Sequence, residues 1–213
     1  MFDAVIFDCD GTLVDSETLG NSVIVDCCRE IGLAITLDEA LTHFAGRKMA
    51  ETIDLIALWH GKPLPPDFLM TIRRRMALAF EDRLQPMPGV HALLDRLIAP
   101  KAVASNGPAE KMEITLRVTG LLPFFEGRIF SAYQCDSWKP EPGLFLFAAA
   151  QMGVDPHRCA VIEDSPLGIR AAVRANMQAF GYAPSGDGAE LKALGATVFH
   201  HMETLLPHLQ LAD

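Results

Sequence analysis

Two aspartates follow the first apolar run of the chain and are separated by one residue. The run Ala4 to Phe7 leads directly into Asp8, Cys9 and Asp10. Because side chains alternate along an extended strand, Asp8 and Asp10 are expected to project to one side while Cys9 points away. Two carboxylates placed in this way suit a nucleophile and an acid/base partner.

Small polar residues come next to these aspartates and after a second apolar run. Gly11 would let a ligand approach the backbone, and Thr12 offers both a hydroxyl and an N–H group. The run Ala102 to Ala104 ends in Ser105 and Asn106. These donors are suited to holding phosphoryl oxygens, which makes all four residues candidates for substrate binding.

Charged residues mark the ends of two further runs. Lys139 stands before Pro140 and close to Pro142, and an ammonium group held there can offset negative charge on a phosphate and a carboxylate. Glu163 and Asp164 form a pair of hard oxygen ligands. Mg²⁺ prefers such carboxylates and keeps several waters, so this pair predicts a magnesium site.

Alternating strands and helices are needed to bring these residues together. Short apolar runs predict buried parallel strands at Ala4 to Phe7, Ala102 to Ala104, Arg128 to Ser131, Ala160 to Ile162 and Ala179 to Tyr182. Helical patterns alternate with them at Gly89 to Ile98, Ala109 to Val118, Pro142 to Met152 and Pro166 to Ala175. The pattern predicts a doubly wound, Rossmann-like α/β sheet, in which functional groups gather beyond the carboxyl ends of the strands.

An inserted helical domain separates the first two strands. Residues 16–84 read as wholly helical, and Thr36 with Glu39 predicts a capping box at the start of one helix. The insert is much longer than a right-handed crossover needs. We therefore predict a catalytic core at 1–15 and 85–213, and a helical cap at 16–84.

Composition and charge exclude several classes of function. The 213 residues carry a net charge of -9, which repels nucleic acid and anionic lipid, so neither is an expected partner. The N-terminal apolar run is interrupted by aspartates, and we expect neither a signal peptide nor a membrane span. The 5 cysteines are odd in number and lack paired metal spacing, which favours reduced thiols in the cytoplasm.

Taken in order along the chain, these motifs resemble the haloacid dehalogenase superfamily. The resemblance covers the whole chain, and its most specific part is the opening run from Asp8 to Asp15. A helical cap placed directly after this run is similar to the phosphoglycolate phosphatase and β-phosphoglucomutase subgroup. Within it, Asp15-Ser16-Glu17 and the segments around Ser105 and Lys139 resemble bacterial sugar-phosphate phosphatases, including those acting on 6-phosphogluconate.

The resemblance implies a Mg²⁺-dependent phosphatase that acts on a small phosphorylated metabolite. Asp8 would be the nucleophile, and Asp10 would protonate the leaving oxygen and later deprotonate the attacking water. Mg²⁺ would be held by Asp8, the Asp10 carbonyl and Asp164, with Glu163 either a ligand or a contact through water. Ser105, Asn106 and the catalytic Lys139 would surround the transferring phosphoryl group.

The cap is expected to close over the site and to recognise the rest of the substrate. Its candidates are Arg47 and Lys48, which follow Gly46 at the start of a helix. The alternative for both is a solvated basic turn. The run Arg73 to Arg75 lies on one helix and cannot face one direction, so we interpret it as a solvated surface.

Two other functions stay open at this point. A phosphomutase would use the same phospho-aspartate, but its relatives carry a histidine in the cap hinge, and residues 16–20 contain none. A non-catalytic binding protein would be expected to lack one of Asp8, Asp10, Lys139 or Asp164. A dehalogenase is disfavoured because it needs neither Mg²⁺ nor Asp10. The sequence does not fix the oligomeric state, although a small cap and one active site are compatible with a monomer.

Overall fold

The computed structural model describes residues 1–44, 47, 49–125 and 127–211. These residues form two compact units. One unit consists of Met1–Val14 together with Pro86–Asp213, and the other consists of Asp15–Gln85. The predicted division, 1–15 with 85–213 and 16–84, differs from this one by a single residue at each junction.

The strands belong to the first unit and form one parallel sheet. They are β1 (Ala4–Phe7), β2 (Lys101–Ser105), β3 (Ile129–Ser131), β4 (Cys159–Glu163), β5 (Gln178–Tyr182) and β6 (Thr197–Phe199). Their order across the sheet is β3-β2-β1-β4-β5-β6, and every neighbouring pair is parallel. The predicted Rossmann-like α/β class is therefore confirmed.

Helices occur in both units. In chain order they are α1 (Ser16–Glu30), α2 (Leu37–Phe44), α3 (Met49–His60), α4 (Phe68–Arg83), α5 (Val90–Arg96), α6 (Ala109–Val118), α7 (Ala132–Cys135), α8 (Gly143–Met152), α9 (Pro166–Arg174) and α10 (Ala189–Ala193). Short 3-10 helices lie at Leu122–Phe125, Pro156–Arg158, Met202–Thr204 and Leu206–His208. Across the described part of the chain, no helix has the length and apolar character required to cross a membrane.

Strand β6 is the one that the apolar runs did not predict. It is an edge strand of 3 residues, in which Thr197 is exposed, Val198 is half-buried and Phe199 is buried. Parallel strands are recognised in sequence by continuous apolar runs because both of their faces are covered. A short edge strand with one exposed residue lacks that signal.

Both faces of the sheet are buried at β1. Ala4 and Ile6 are fully buried in an apolar cluster that includes residues of α8 and α9. The ring of Phe7, on the other face, packs edge to face against Phe125 with ring centroids 5.9 Å apart. Burying such side chains contributes about 1.5–3 kcal/mol each, so β1 is held firmly where its carboxyl end must position Asp8.

The second unit is built from α1, α2, α3 and α4 around its own apolar core. That core includes Val23, Phe44, Ile56 and Ile72. Gly20 brings α1 and α4 close together, since a Cβ at this position would stand 3.2 Å from the Met76 side chain. The described residues of this unit form helices, as the pattern of residues 16–84 predicts.

Polar contacts at the surface of the helical unit include the predicted capping box. The Thr36 backbone N–H donates to Glu39 at 2.8 Å, and the Glu39 N–H donates to the Thr36 hydroxyl at 3.2 Å. Arg75 donates to both carboxylate oxygens of Glu30, at 2.6 and 2.9 Å. Arg73 and Arg74 are exposed as predicted, whereas Arg75 is half-buried beside its partner.

The chain leaves and re-enters the sheet-containing unit at adjacent positions. Val14 forms an antiparallel bridge with Pro86. Next to it, the Met87 N–H donates to the Leu13 carbonyl at 2.9 Å. The two ends of the helical insert are therefore joined side by side at the first unit.

Candidate active site

The carboxyl end of β1 lies between the ends of β2 and β4. The pairing of β1 with β4 continues beyond Phe7, because the Asp8 N–H donates to the Ile162 carbonyl at 2.9 Å. This register places Asp8 beside Glu163. Both residues are buried, with 7% and 1% of their surface exposed, so their carboxylates require polar partners.

A tight loop follows Asp8. The Leu13 N–H donates to the Cys9 carbonyl and the Gly11 N–H to the Val14 carbonyl, both at 2.9 Å. Gly11 has a φ of 81°, which side chains with a Cβ rarely adopt. The Cys9 thiol lies 3.7 Å from the Thr115 hydroxyl in the protein interior.

Lys139 provides the buried cation of the site. Its ammonium group donates to Asp8 and, at 2.8 Å, to Glu163. The same group lies 4.9 Å from the ring centroid of Phe145. Only 4% of the lysine side chain is exposed, so this cation is held in place by two carboxylates.

Burial and charge act against each other on this ion pair. Burial alone lowers the pKa of Lys139, but the charges of Asp8 and Glu163 outweigh that effect and hold the pKa above its usual range. Burial raises the pKa of Asp8 to about 7, although Lys139 opposes this shift. Lys139 therefore stays protonated, and a further positive charge near Asp8 would favour its ionised form.

Glu163 is directed towards Lys139 by the start of α9. Its other carboxylate oxygen accepts from the Ser165 N–H at 2.8 Å and from the Ser165 hydroxyl at 2.9 Å. A Cβ at Gly168 would stand 1.7 Å from Glu163, so this glycine leaves the space for the carboxylate. Both oxygens of Glu163 have protein partners, which favours a positioning role over direct ligation of a metal.

Asn106 contacts the main chain of Lys139. Its side-chain oxygen accepts from the Lys139 N–H at 2.9 Å, and its amide nitrogen lies 3.4 Å from the Lys139 carbonyl oxygen. Asn106 was predicted from its sequence position to contact the phosphoryl group. The structure shows its amide in contact with the backbone of the buried lysine, and its contact with a phosphoryl group stays a prediction.

Ser105 is buried at the end of β2. Its hydroxyl accepts from the Gly107 N–H at 3.2 Å, and the Gly107 carbonyl accepts from the Ser131 hydroxyl at 2.6 Å. These contacts shape the turn that follows β2. Ser105 therefore lies at the same edge of the sheet as Asp8, as its position in the sequence predicts.

Asp164 lies directly against the first loop. Its carboxylate accepts from the Thr12 hydroxyl at 3.0 Å. A Cβ at Gly11 would stand 2.2 Å from an Asp164 oxygen, so only glycine permits this approach. The hydroxyl of Thr12 thus contacts Asp164, and its contact with a substrate stays a prediction.

The oxygen donors of this region match the preference of Mg²⁺. The predicted set consists of the carboxylates of Asp8 and Asp164 and the main-chain carbonyl of Asp10, which are hard oxygen donors. Within the described residues, no three His, Cys, Asp or Glu side chains gather in a way that would hold a metal. A cation here would depend on the main-chain carbonyl and on water as well as on the two carboxylates.

Lys111 is a site residue that the sequence motifs did not indicate. Its ammonium group donates to both carboxylate oxygens of Asp10, each at 2.8 Å. It lies in the first turn of α6, where a cation opposes the helix dipole. That unfavourable position was the available signal, because it indicates that a nearby anion compensates for it.

Arg47 belongs to the other unit. It is exposed, and its guanidinium group donates to the His43 carbonyl at the end of α2. The predicted neighbours Gly46 and Lys48 lie outside the described residues. The structure therefore gives Arg47 a local contact and leaves its role towards a substrate as a proposal.

Residues 2–176 match the family of haloacid dehalogenase-like hydrolases. The chain belongs to this family. It is 34% identical over 204 residues to 6-phosphogluconate phosphatase of Escherichia coli K12, and the match covers 95% of this chain and 92% of that protein.

Solved structures of this family share the fold over almost the whole chain. A HAD family hydrolase of Deinococcus radiodurans R1, crystallised with phosphate and sodium, is 33% identical with a TM-score of 0.87, covering 98% of this chain and 95% of its own. A Thermotoga maritima protein provisionally named a β-phosphoglucomutase is 26% identical with a TM-score of 0.85, covering 98% and 99%. The family and subgroup predicted from the motifs are confirmed, and the protein is a phosphoric monoester hydrolase.

Proposed function

We propose that this hydrolase removes phosphate from a small sugar phosphate or sugar-acid phosphate, such as 6-phosphogluconate, through a phospho-aspartate at Asp8. The observation that carries the proposal is the buried ammonium group of Lys139 against Asp8, two residues before Asp10. An anionic nucleophile and an anionic phosphate repel each other, and a fixed cation at the nucleophile reduces that repulsion. The 34% identity to an enzyme named for 6-phosphogluconate supports the class of substrate.

In the first half-reaction, an oxygen of Asp8 attacks phosphorus in line with the leaving oxygen. The bond between phosphorus and the sugar oxygen breaks, and Asp10 gives its proton to that oxygen. The products are the free sugar and an acyl phosphate on Asp8. Lys139 keeps its proton throughout and offsets negative charge on the transferring group.

In the second half-reaction, water attacks the phosphorus of the acyl phosphate. Asp10, now a carboxylate, accepts the proton from this water. The bond between phosphorus and Asp8 breaks, which releases inorganic phosphate and restores both aspartates. One side chain thus serves as an acid and then as a base.

Mg²⁺ is part of the proposal, with Asp8, the Asp10 carbonyl and Asp164 as the residues that would hold it. When bound, the ion supplies positive charge that favours ionised Asp8 and offsets the charge of the phosphoryl group. Glu163 stays a candidate for a contact through water. Its two hydrogen-bonded oxygens support the further role of orienting Lys139.

Substrate contacts are assigned to both units. Ser105 and the backbone at Gly11 and Thr12 are proposed to contact the phosphoryl group, with Asn106 acting through Lys139. Arg47 is proposed to contact an anionic group on the rest of the substrate. The cysteines are free thiols, which supports a location in the reducing cytoplasm.

The test is phosphate release with Mg²⁺ across a panel of sugar phosphates, sugar-acid phosphates and phosphoglycolate. We expect phosphate release from one sugar-type substrate to be clearly faster than release from phosphoglycolate, and we expect Asp8→Asn to abolish release. Acid-quenched wild-type enzyme should carry alkali-labile phosphate, and the variant should carry none. Asp95→Asn, which changes an exposed aspartate on α5, is the matched control and should keep full activity.

A phosphomutase is the second candidate, favoured by the likeness to the Thermotoga maritima protein. It would move the phosphoryl group between two hydroxyls of the sugar and release little inorganic phosphate. The absence of histidine from residues 16–20 favours hydrolysis over this transfer. Product analysis with a hexose phosphate separates the two, because rearranged sugar phosphate without free phosphate contradicts the hydrolase.

A further inference from the structure

The cation beside Asp10 is not explained by the proposed roles of the other site residues. Lys111 lies in the first turn of α6, a position that is unfavourable for an ammonium group because of the helix dipole. It is separated by 101 positions from Asp10, so the contact arises only from the fold. The fold therefore places this cation against the helix dipole and directs it at the proposed acid/base residue.

The contact fixes both oxygens of one carboxylate. The Lys111 ammonium lies 2.8 Å from each oxygen of Asp10. The lysine stem passes Gly107, where a Cβ would stand 3.8 Å from it in ordinary contact. The side chains of Lys111 and Asp10 are 38% and 21% exposed, so the pair lies where water has access.

We propose that Lys111 is a positioning residue that sets the direction of the Asp10 carboxylate for hydrolysis of the phospho-aspartate. The inference rests on the proposed function, because it assigns Asp10 the role of base towards water. Two charge-assisted hydrogen bonds restrict rotation of the carboxylate, and each carboxylate oxygen has two lone pairs, of which Lys111 engages one.

The two half-reactions depend on this contact to different extents. In the second, water bonds to phosphorus, its proton passes to a carboxylate oxygen of Asp10, and the bond to Asp8 breaks. In the first, Asp10 needs a proton, and it can keep one contact with Lys111 through its unprotonated oxygen. Loss of Lys111 should therefore slow release of phosphate from the enzyme more than transfer of phosphate to it.

p-Nitrophenyl phosphate separates these steps because its leaving group departs without a proton. Nitrophenol release is followed by stopped flow with Mg²⁺, comparing the first turnover with the later ones. For Lys111→Met, we expect the rate of the first turnover to be close to that of the wild type and the steady-state rate to be about 10-fold lower. This loss is smaller than the contribution that a general base usually makes to a reaction rate.

Three further variants test whether the effect acts through Asp10. Lys111→Arg keeps a fork that can contact both oxygens, and should recover most of the steady rate. Adding Lys111→Met to Asp10→Asn should cause no further loss. Lys192→Met, which changes an exposed lysine on α10, should match wild type in both phases.

The inference is overturned if the first turnover of Lys111→Met slows as much as the later ones, because Lys111 would then act on transfer to Asp8. It is also overturned if both phases match wild type, or if the loss adds fully to that of Asp10→Asn. Wild-type enzyme that releases no phosphate from any member of the sugar-phosphate panel, or release that survives Asp8→Asn, overturns the proposed function instead, and this inference with it.

Discussion

Charged side chains are used differently in the two units. In the sheet-containing unit, the ammonium group of Lys139 is buried between Asp8 and Glu163. In the helical unit, the corresponding contact joins Arg75 to Glu30, with side chains 37% and 58% exposed. Lys139 contacts two carboxylates and Arg75 contacts both oxygens of one, and of these two cations only Lys139 is removed from water.

The difference separates a fixed reaction centre from an adaptable surface. A buried cation with two anionic partners has one arrangement, and removal of any member leaves an uncompensated charge. An exposed charge is solvated with or without its partner, so loss of the pair lowers the free energy of unfolding only slightly. We therefore expect variants of the buried ion pair in the sheet-containing unit to affect catalysis and folding together, and variants of exposed charged residues in the helical unit to change stability little.

Lys139→Met should have the largest effect. It leaves Asp8 and Glu163 buried without their cation, so the free energy of unfolding should fall by about 3–5 kcal/mol. Turnover should fall by about 10³-fold at saturating substrate, because a preorganised charge at the phosphoryl group is lost. Urea denaturation and steady-state kinetics measure the two effects. A stable, active variant would contradict the idea of a fixed centre.

Arg47→Ala should have an intermediate effect, and this effect should be confined to KM. We expect KM for the preferred substrate to rise about 10-fold, equivalent to one lost charge-assisted contact, with kcat and the urea midpoint nearly unchanged. Arg73→Ala removes another exposed arginine of the same unit and serves as the control. Equal KM values for both variants and wild type would remove Arg47 from the proposed binding site.

Glu30→Gln should have the smallest effect, and that effect should depend on pH. The side-chain hydrogen bond from Arg75 lowers the pKa of Glu30, so its contribution to stability is present at neutral pH. It should disappear as the pH falls through that lowered pKa. We expect a slightly lower urea midpoint than wild type at neutral pH and equal midpoints in acid. Glu51→Gln is the control. A large fall in the urea midpoint of Glu30→Gln at neutral pH would contradict the contrast between the buried and the exposed ion pair.

Sequence alone identified the parts of the site that are local. The predicted β1 and the residues that follow it depend on alternation and on a tight turn, both of which are properties of neighbouring residues. Asp8, Asp164, Lys139 and Glu163 lie at one edge of the sheet, as the strand pattern indicated. Placing these residues together needed only the rule that functional groups gather at the carboxyl ends of parallel strands.

The remaining contacts depend on partners far along the chain. Asn106 contacts Lys139 across 33 positions, and Lys111 contacts Asp10 across 101. Residue type alone does not distinguish a phosphate ligand from a side chain that holds another residue. Glu163 shows the same limit, because a carboxylate that follows a strand suits Mg²⁺ and an ammonium group equally well.

The paired ends of the helical insert have a consequence for protein engineering. Val14 and Pro86 face each other across an antiparallel bridge, so their Cα atoms lie about 5 Å apart. Such a junction should tolerate replacement of the intervening segment, because the insert is attached at the same two adjacent positions whatever its sequence. Replacing residues 15–85 with the insert of another family member therefore tests whether the insert carries the substrate preference.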